Sequence, residues 1–261
     1  MNISATVNYH IKSNTSQAFH FDVDGIDGNL ISPELVTTEV KVKDLRGQTD
    51  AVNFNDNGIT FKTFPSNISA FDDSDAWHKQ YNQEISQLLK SEIGASEVIV
   101  FDHTLRIDDP DALRRPARNV HNDYSSDGAE QRLVDLLGSE KANEYLQGSF
   151  AFVNVWRPIE NIITSSPLGF IHPLSMQQDD WMDIELVYPT RHGQILGVAA
   201  NAKHEWFYQS NMHPDEVVIF NIYDNQGRAH LAHSALDLIN QAPTSVPRKS
   251  LETRTLVRYP N

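Results

Sequence analysis

The chain has 261 residues, 39% hydrophobic and 21% charged, which suits a globular protein with a sizeable core and excludes collagen-like, low-complexity and disordered classes. Its 21 basic residues stand against 35 acidic ones, a net charge of −14, so phosphate backbones and anionic lipid are repelled and neither nucleic acid nor membrane is an expected partner. The absence of cysteine removes disulfides, thiolate metal sites and cysteine nucleophiles, leaving only nitrogen and oxygen ligands from 11 histidines and the carboxylates for any metal.

The first residues carry neither a basic start nor an apolar run, and no stretch is long enough to span a bilayer, so the expected location is cytoplasmic. No linker divides the chain, and residues 1–261 are read as a single domain. Val40–Val42 and Ala51–Phe54 read as strands, with Asn57-Gly58 as a hairpin turn leading into the alternating run Ile59–Phe64. A helix is predicted from about Asp73 to Ile93, with acidic residues at its start, Trp77, Tyr81, Ile85, Leu88 and Leu89 on one face, and Gly94 as its cap. A short strand at Glu97–Phe101 and a helix from about Gly128 to Leu137 follow.

From Ser149 onward strand follows strand: Ser149–Trp156, Asp183–Tyr188, Gln194–Ala199, His204–Tyr208, Glu216–Tyr223, Arg228–Ala235 and Ser250–Val257. Many short strands separated by turn residues predict a mainly β fold with flanking helices, built on a double-stranded β-helix (jelly-roll, cupin-like) core.

His121 and Asp123 stand two apart in an extended segment and therefore project to the same side. With a distant histidine they would form the facial triad of non-haem Fe(II), which leaves positions open for cosubstrate and O2. By itself a His-x-Asp pair is common by chance. The candidates for the third ligand are His230 and His233, which alternation puts on opposite faces. His233 is preferred because it shares its face with Leu231 and Ala229, whereas His230 keeps company with Arg228.

Further on, Arg248, Ser250, Glu252 and Arg254 alternate onto one strand face, which in isolation reads as an outer edge. Placed 15 residues after a metal histidine, Arg248 and Ser250 offer a guanidinium and a hydroxyl to a carboxylate, and 2-oxoglutarate becomes the natural cosubstrate. Arg254 competes for that role. The two arginines lie too far apart to grip one small carboxylate together, and Arg248 is preferred.

Seven ordered blocks then carry a family resemblance: Gly94–Arg106, Pro116–Ser125, Asn154–Pro158, Pro167-Leu168, Met212–Phe220, His233–Ala235 and Pro247–Arg254. In these the chain resembles the AsaB/CmcJ-like hydroxylase/desaturase family of non-haem Fe(II)/2-oxoglutarate-dependent oxygenases. The resemblance implies His121, Asp123 and His233 as iron ligands, with 2-oxoglutarate and O2 consumed while a small organic substrate is hydroxylated, desaturated or cyclised in natural-product biosynthesis. This chain departs from the family at His172, where an aspartate is usual, and at Ser234, where threonine is more common.

Tyr124, Trp156, Arg157, His172 and Tyr208 are expected to line the substrate pocket or support the ligands, with Arg157 meeting either substrate or a structural carboxylate. His103 and Arg106 read as structural. A homodimer is possible. Two other readings remain: a cupin-like metal enzyme without 2-oxoglutarate, and a non-enzymatic jelly-roll binding module.

Overall fold

A computed structural model describes residues 2–26, 28–72, 74–239 and 246–260. The chain begins with β1 (Asn2–His10), β2 (Gln17–Phe21), β3 (Leu30–Ile31), β4 (Leu35–Asp44), the short helix α1 (Phe54–Asn57) and β5 (Ile59–Thr63). Next come α2 (His78–Ile93), β6 (Glu97–Ile107), β7 (His121–Asn122), α3 (Ser126–Leu146) and β8 (Phe150–Pro158). The remaining strands are β9 (Leu168–Ile171), β10 (Trp181–Val187), β11 (His192–Val198), β12 (Trp206–Tyr208), β13 (Glu216–Asp224), β14 (His233–Ala235), β15 (Asp237–Leu238) and β16 (Lys249–Arg258).

The strands form two sheets. The larger runs β15-β1-β4-β12-β9-β14-β7-β11-β10-β2-β3 and the smaller β5-β13-β8-β16-β6. Aromatic side chains from both sheets fill the space between them: Phe170 and Phe207 of the large sheet meet Phe152, Trp156 and Phe220 of the small one in a shared core. This is the jelly-roll arrangement expected from the spacing of the strands.

Alternation along the small sheet separates its two faces. Phe152, Asn154 and Trp156 of β8 face the space between the sheets, whereas Val153 and Val155 pack with Tyr81, Ile85, Leu88 and Leu89 of α2 on the outer side. Gly94 caps α2 at φ 72°, the left-handed conformation that glycine takes without a Cβ penalty. The predicted start at Asp73 lies outside the described residues; the helical path begins with a 3-10 turn at Asp75–Trp77.

Three local expectations give way. Ala51–Phe54 is not a strand and Asn57-Gly58 is not a hairpin turn: Asn53 accepts from the Asp56 amide, capping α1, and Gly58 ends that helix at φ 71°. The capping side chain supplies the backbone partner that a hairpin would have supplied. Arg228–Ala235 forms a strand only from His233, because the Leu231 amide bonds out of line to the Asn221 carbonyl and the Asn221 side chain takes the Ala229 carbonyl. β16, which follows directly on Arg248 and carries Arg254, lies between β8 and β6 rather than at an edge of the sheet. Among the described residues no helix is long and apolar enough to cross a membrane.

Candidate metal centre

β7 lies between β14 and β11 in the large sheet, and His121 is the cross-strand partner of His233. Directly paired residues point to the same face, so the two imidazoles stand side by side with ring centroids 4.5 Å apart. Asp123 follows two residues after His121 and turns its carboxylate to the same point. Its Oδ1 lies 3.4 Å from His121 Nε2 and 3.8 Å from His233 Nε2. One ligand atom from each of the three residues lies within 4.8 Å of the others, and all three residues are buried.

The remaining polar atoms of the three side chains are already engaged. His121 donates from Nδ1 to the Asn119 carbonyl at 2.8 Å, and His233 from Nδ1 to the Leu231 carbonyl at 3.0 Å. A carbonyl can only accept, so each ring carries a proton on Nδ1, which leaves Nε2 as the atom a metal would take. Asp123 Oδ2 accepts from Asn154 Nδ2 at 2.8 Å and from Arg254 Nε at 3.3 Å, leaving Oδ1 toward the histidines.

Burial alone would push Asp123 up, but the Arg254 guanidinium and then the two histidines outweigh it and hold the carboxyl well below its usual range. Burial, reinforced by the adjacent His121, pushes His233 down to about 4. Two imidazoles and one carboxylate, in a pocket walled by Phe170 and Phe220 at 6.2 and 5.0 Å from the His233 ring, form a nitrogen–oxygen set suited to a divalent transition metal.

The facing strands of the small sheet arrange a second cluster. β16 pairs with β8 so that Arg254 opposes Asn154, Glu252 opposes Trp156 and Ser250 opposes Pro158. All these β16 positions face inward. Arg254 is consumed by carboxylates, since besides Asp123 it reaches Asp102 at 3.0 Å and Glu252 at 2.7 Å. Arg248 is different. It is 4% exposed, its guanidinium lies 5.0 Å over the Trp156 ring, and it donates to Ser250 Oγ and to the Ser166 carbonyl.

Burial and then the neighbouring Arg106 guanidinium push Arg248 down to about 9, so it stays protonated at neutral pH with two cations close together. Trp156 Nε1 is buried there without a hydrogen-bond partner among the described residues. An orphaned donor beside an Arg–Ser pair is a cradle for a carboxylate, and it lies one dipeptide step, roughly 7 Å along β8, from the Asn154 that touches Asp123.

Other expected residues separate. Tyr124 packs its ring 5.0 Å from Phe152, and burial above all pushes its phenol up to about 12. It also borders a groove of about 390 Å³ lined by Trp181, Leu196, Tyr223 and His230. His230 lies tilted against Trp181, ring centroids 4.8 Å apart, and takes no part in the triad. His172 sits 6.1 Å from Phe207, which stacks on Phe170 beside His233.

Among the described residues Arg157 bonds no carboxylate. It points to the outer face of β8, where it donates to the Phe64 and Pro214 carbonyls and lies over the Phe71 and Tyr81 rings. Tyr208 faces the back of the large sheet with Trp206, so the wall residue of that strand is Phe207. His103 bonds to Asn82 and Thr253 on the outer side, a structural setting. Asn154, Asp102 and the phenylalanine wall were not anticipated. The one available signal was Asn154 itself, an amide in the otherwise apolar run Phe150–Trp156.

The family model described as "Oxidoreductase/YMDC permease-like domain" matches residues 7–258. The chain belongs to this oxidoreductase family. Among its relatives, the oxidoreductase is 30% identical over 252 residues to the hydroxylase/desaturase EfuI of Hormonema carpetanum, covering 85% of this chain and 83% of that protein. It is 28% identical over 233 residues to the Fe(II)/2-oxoglutarate-dependent dioxygenase NvfI of Aspergillus novofumigatus, covering 84% and 82%. A solved structure of the iron and alpha-ketoglutarate-dependent endoperoxidase NvfI superimposes with a TM-score of 0.87 at 21% identity, over 100% of this chain and 98% of that one, which shows a shared fold. The hydroxylase/desaturase resemblance drawn from the seven sequence blocks is borne out.

Proposed function

We propose that this oxidoreductase is a non-haem Fe(II)- and 2-oxoglutarate-dependent dioxygenase acting on a small organic molecule, with His121, Asp123 and His233 holding the iron. The observation that carries the reading is the paired use of Nδ1 by both histidines, which leaves two Nε2 atoms and Asp123 Oδ1 converging. Iron bound there would supply the means to activate O2, with the electrons for its reduction coming from the oxidative decarboxylation of 2-oxoglutarate to succinate and CO2. The residues of the chain supply geometry, shelter from water and a fixed charge pattern.

Arg248, Ser250 and Trp156 Nε1 are the groups we assign to the distal carboxylate of 2-oxoglutarate. Among the described residues this buried cation is hydrogen-bonded to a hydroxyl and a carbonyl, while the Asp108 and Glu252 carboxylates act on it from a distance. Arg254, already bonded to three carboxylates, is not the anchor in this reading. A cupin-like enzyme without 2-oxoglutarate leaves the inward-facing Arg248 unexplained, and a binding module leaves the triad unexplained. Phe170, Phe207 and His172 are the wall we assign to the primary substrate, and Tyr124 lines its approach.

Kinship with fungal enzymes called hydroxylase/desaturase and dioxygenase supports oxidation in natural-product biosynthesis, by hydroxylation, desaturation or ring formation. The test is anaerobic: Fe(II) and 2-oxoglutarate are added together and the weak visible charge-transfer band of the chelate is sought. A band that needs both additions supports the reading. Its absence with metal bound removes 2-oxoglutarate, and failure to bind metal removes the enzyme assignment.

A further inference from the structure

The Asp123 carboxylate is held asymmetrically. Oδ2 accepts from Asn154 and from Arg254, while Oδ1 is the oxygen turned toward the Nε2 atoms of His121 and His233. Both donors come from the opposite sheet. Asn154 and Arg254 are cross-strand partners on β8 and β16, so their side chains rise together from one point of the small sheet.

Arg254 is itself fixed. Asp102 bonds it from the next strand, and Glu252 pairs with it from two residues earlier on β16. The register of β6 against β16 shifts beside Arg254. At that bulge Phe101 packs toward the shared core while the adjacent Asp102 also reaches inward to Arg254. The strand irregularity therefore has a use, because regular alternation would turn one of these two residues away.

We propose that Asn154 and Arg254 are positioning residues for the metal centre, which clamp Asp123 Oδ2 so that the carboxylate offers the metal Oδ1 alone. The inference rests on the function proposed above. A carboxylate free to rotate would offer both oxygens and fill a position that the cosubstrate needs, as well as losing the orientation on which affinity depends. Asp102 and Glu252 act through Arg254 and complete the link between the sheets. Arg254 thus serves the metal end of the site and Arg248 its far end.

Cobalt(II) alone is a suitable probe, since its visible absorption reports affinity and coordination number without turnover. In Asn154→Leu and Arg254→Gln the clamp predicts cobalt affinity at least tenfold weaker and a changed visible band intensity. Arg254→Lys, which keeps the charge, should recover part of the affinity. If Asn154→Leu does not fold, Asn154→Ser replaces it, because a hydroxyl is too short to reach Oδ2. Variants with lowered melting temperature but wild-type cobalt affinity and spectrum would overturn the clamp and reduce these residues to stabilising ones. Wild-type protein that binds no cobalt would overturn the metal centre and the clamp together, so the two failures are distinguishable.

Discussion

His121 and His233 stand far apart in the chain and are direct cross-strand partners in the large sheet. The ladder itself brings their rings to 4.5 Å, and each ring is held by a carbonyl two residues before it. The pair is a product of strand register. A one-residue slip of β14 against β7 would turn His233 to the other face and dissolve the site.

Removing a ligand should therefore act on metal binding first. His121→Ala and Asp123→Ala are each expected to lower Fe(II) affinity by orders of magnitude and to abolish succinate formation, with far-UV circular dichroism unchanged. His230→Ala should bind iron like wild type, since its ring lies against Trp181 and is not one of the three converging ligands. Metal titration of the three variants checks the assignment, and an inactive His230→Ala would contradict it.

The two arginines should divide by ligand. A charge-assisted hydrogen bond contributes about 1.5–3 kcal/mol, so Arg248→Lys, which loses the planar fork, should raise the apparent 2-oxoglutarate constant at least tenfold. Arg254→Lys should leave that constant much nearer wild type and weaken metal binding instead. Titrating 2-oxoglutarate against both variants decides the matter, and the opposite ranking would move the anchor to Arg254.

His10 gives the stability a pH dependence. It is 1% exposed, and burial first, with the nearby His121 second, pushes its pKa down to about 4 from 6.5. The unfolded chain thus binds a proton between about pH 6.5 and 4 that the folded chain refuses, so stability is full above 6.5 and falls as the pH drops through that window. The slope for one such group is at most about 1.4 kcal/mol per pH unit. Urea unfolding of wild type and His10→Phe between about pH 7 and 4.5 should show a shallower slope in the variant. Equal slopes would mean that the imidazole is not buried in its neutral form.

Gly58 ends α1 with a positive φ, and a Cβ built there would lie 2.2 Å from the Ala229 carbonyl oxygen. Gly58→Ala should cost about 2–4 kcal/mol, from left-handed strain and overpacking together. Chemical denaturation measures it. A neutral result would mean that the segment before His233 can move aside freely.

Much of the candidate site was legible because its chemistry is local. The spacing of His121 and Asp123 puts them on one side and alternation puts Arg248 and Ser250 on one face, but each pattern is weak alone and gained weight from the seven ordered blocks; strand periodicity carried the fold class. The choice of His233 over His230 followed from the company each keeps along the chain. Residues with a single environment encoded by their immediate neighbours can be read in this way.

What only the tertiary structure decided depends on contacts between distant segments. Alternation places Asn154 on a face but cannot say that Asp123, 31 positions earlier, lies opposite its amide. Arg157 shares the Asn154–Pro158 block with Trp156, yet strand geometry sends it to the outer side, where backbone carbonyls and aromatic rings receive it. Tyr208 and Phe207 exchange roles for the same reason, as a one-residue difference selects the opposite face of the sheet. The partners of the two competing arginines were also beyond the sequence. Arg254 is occupied by Asp102, Glu252 and Asp123, whereas the buried Arg248 bonds a hydroxyl and a carbonyl among the described residues. The sequence determines which groups exist and which face each can take; strand pairing and the closure of one sheet on the other determine which of them meet.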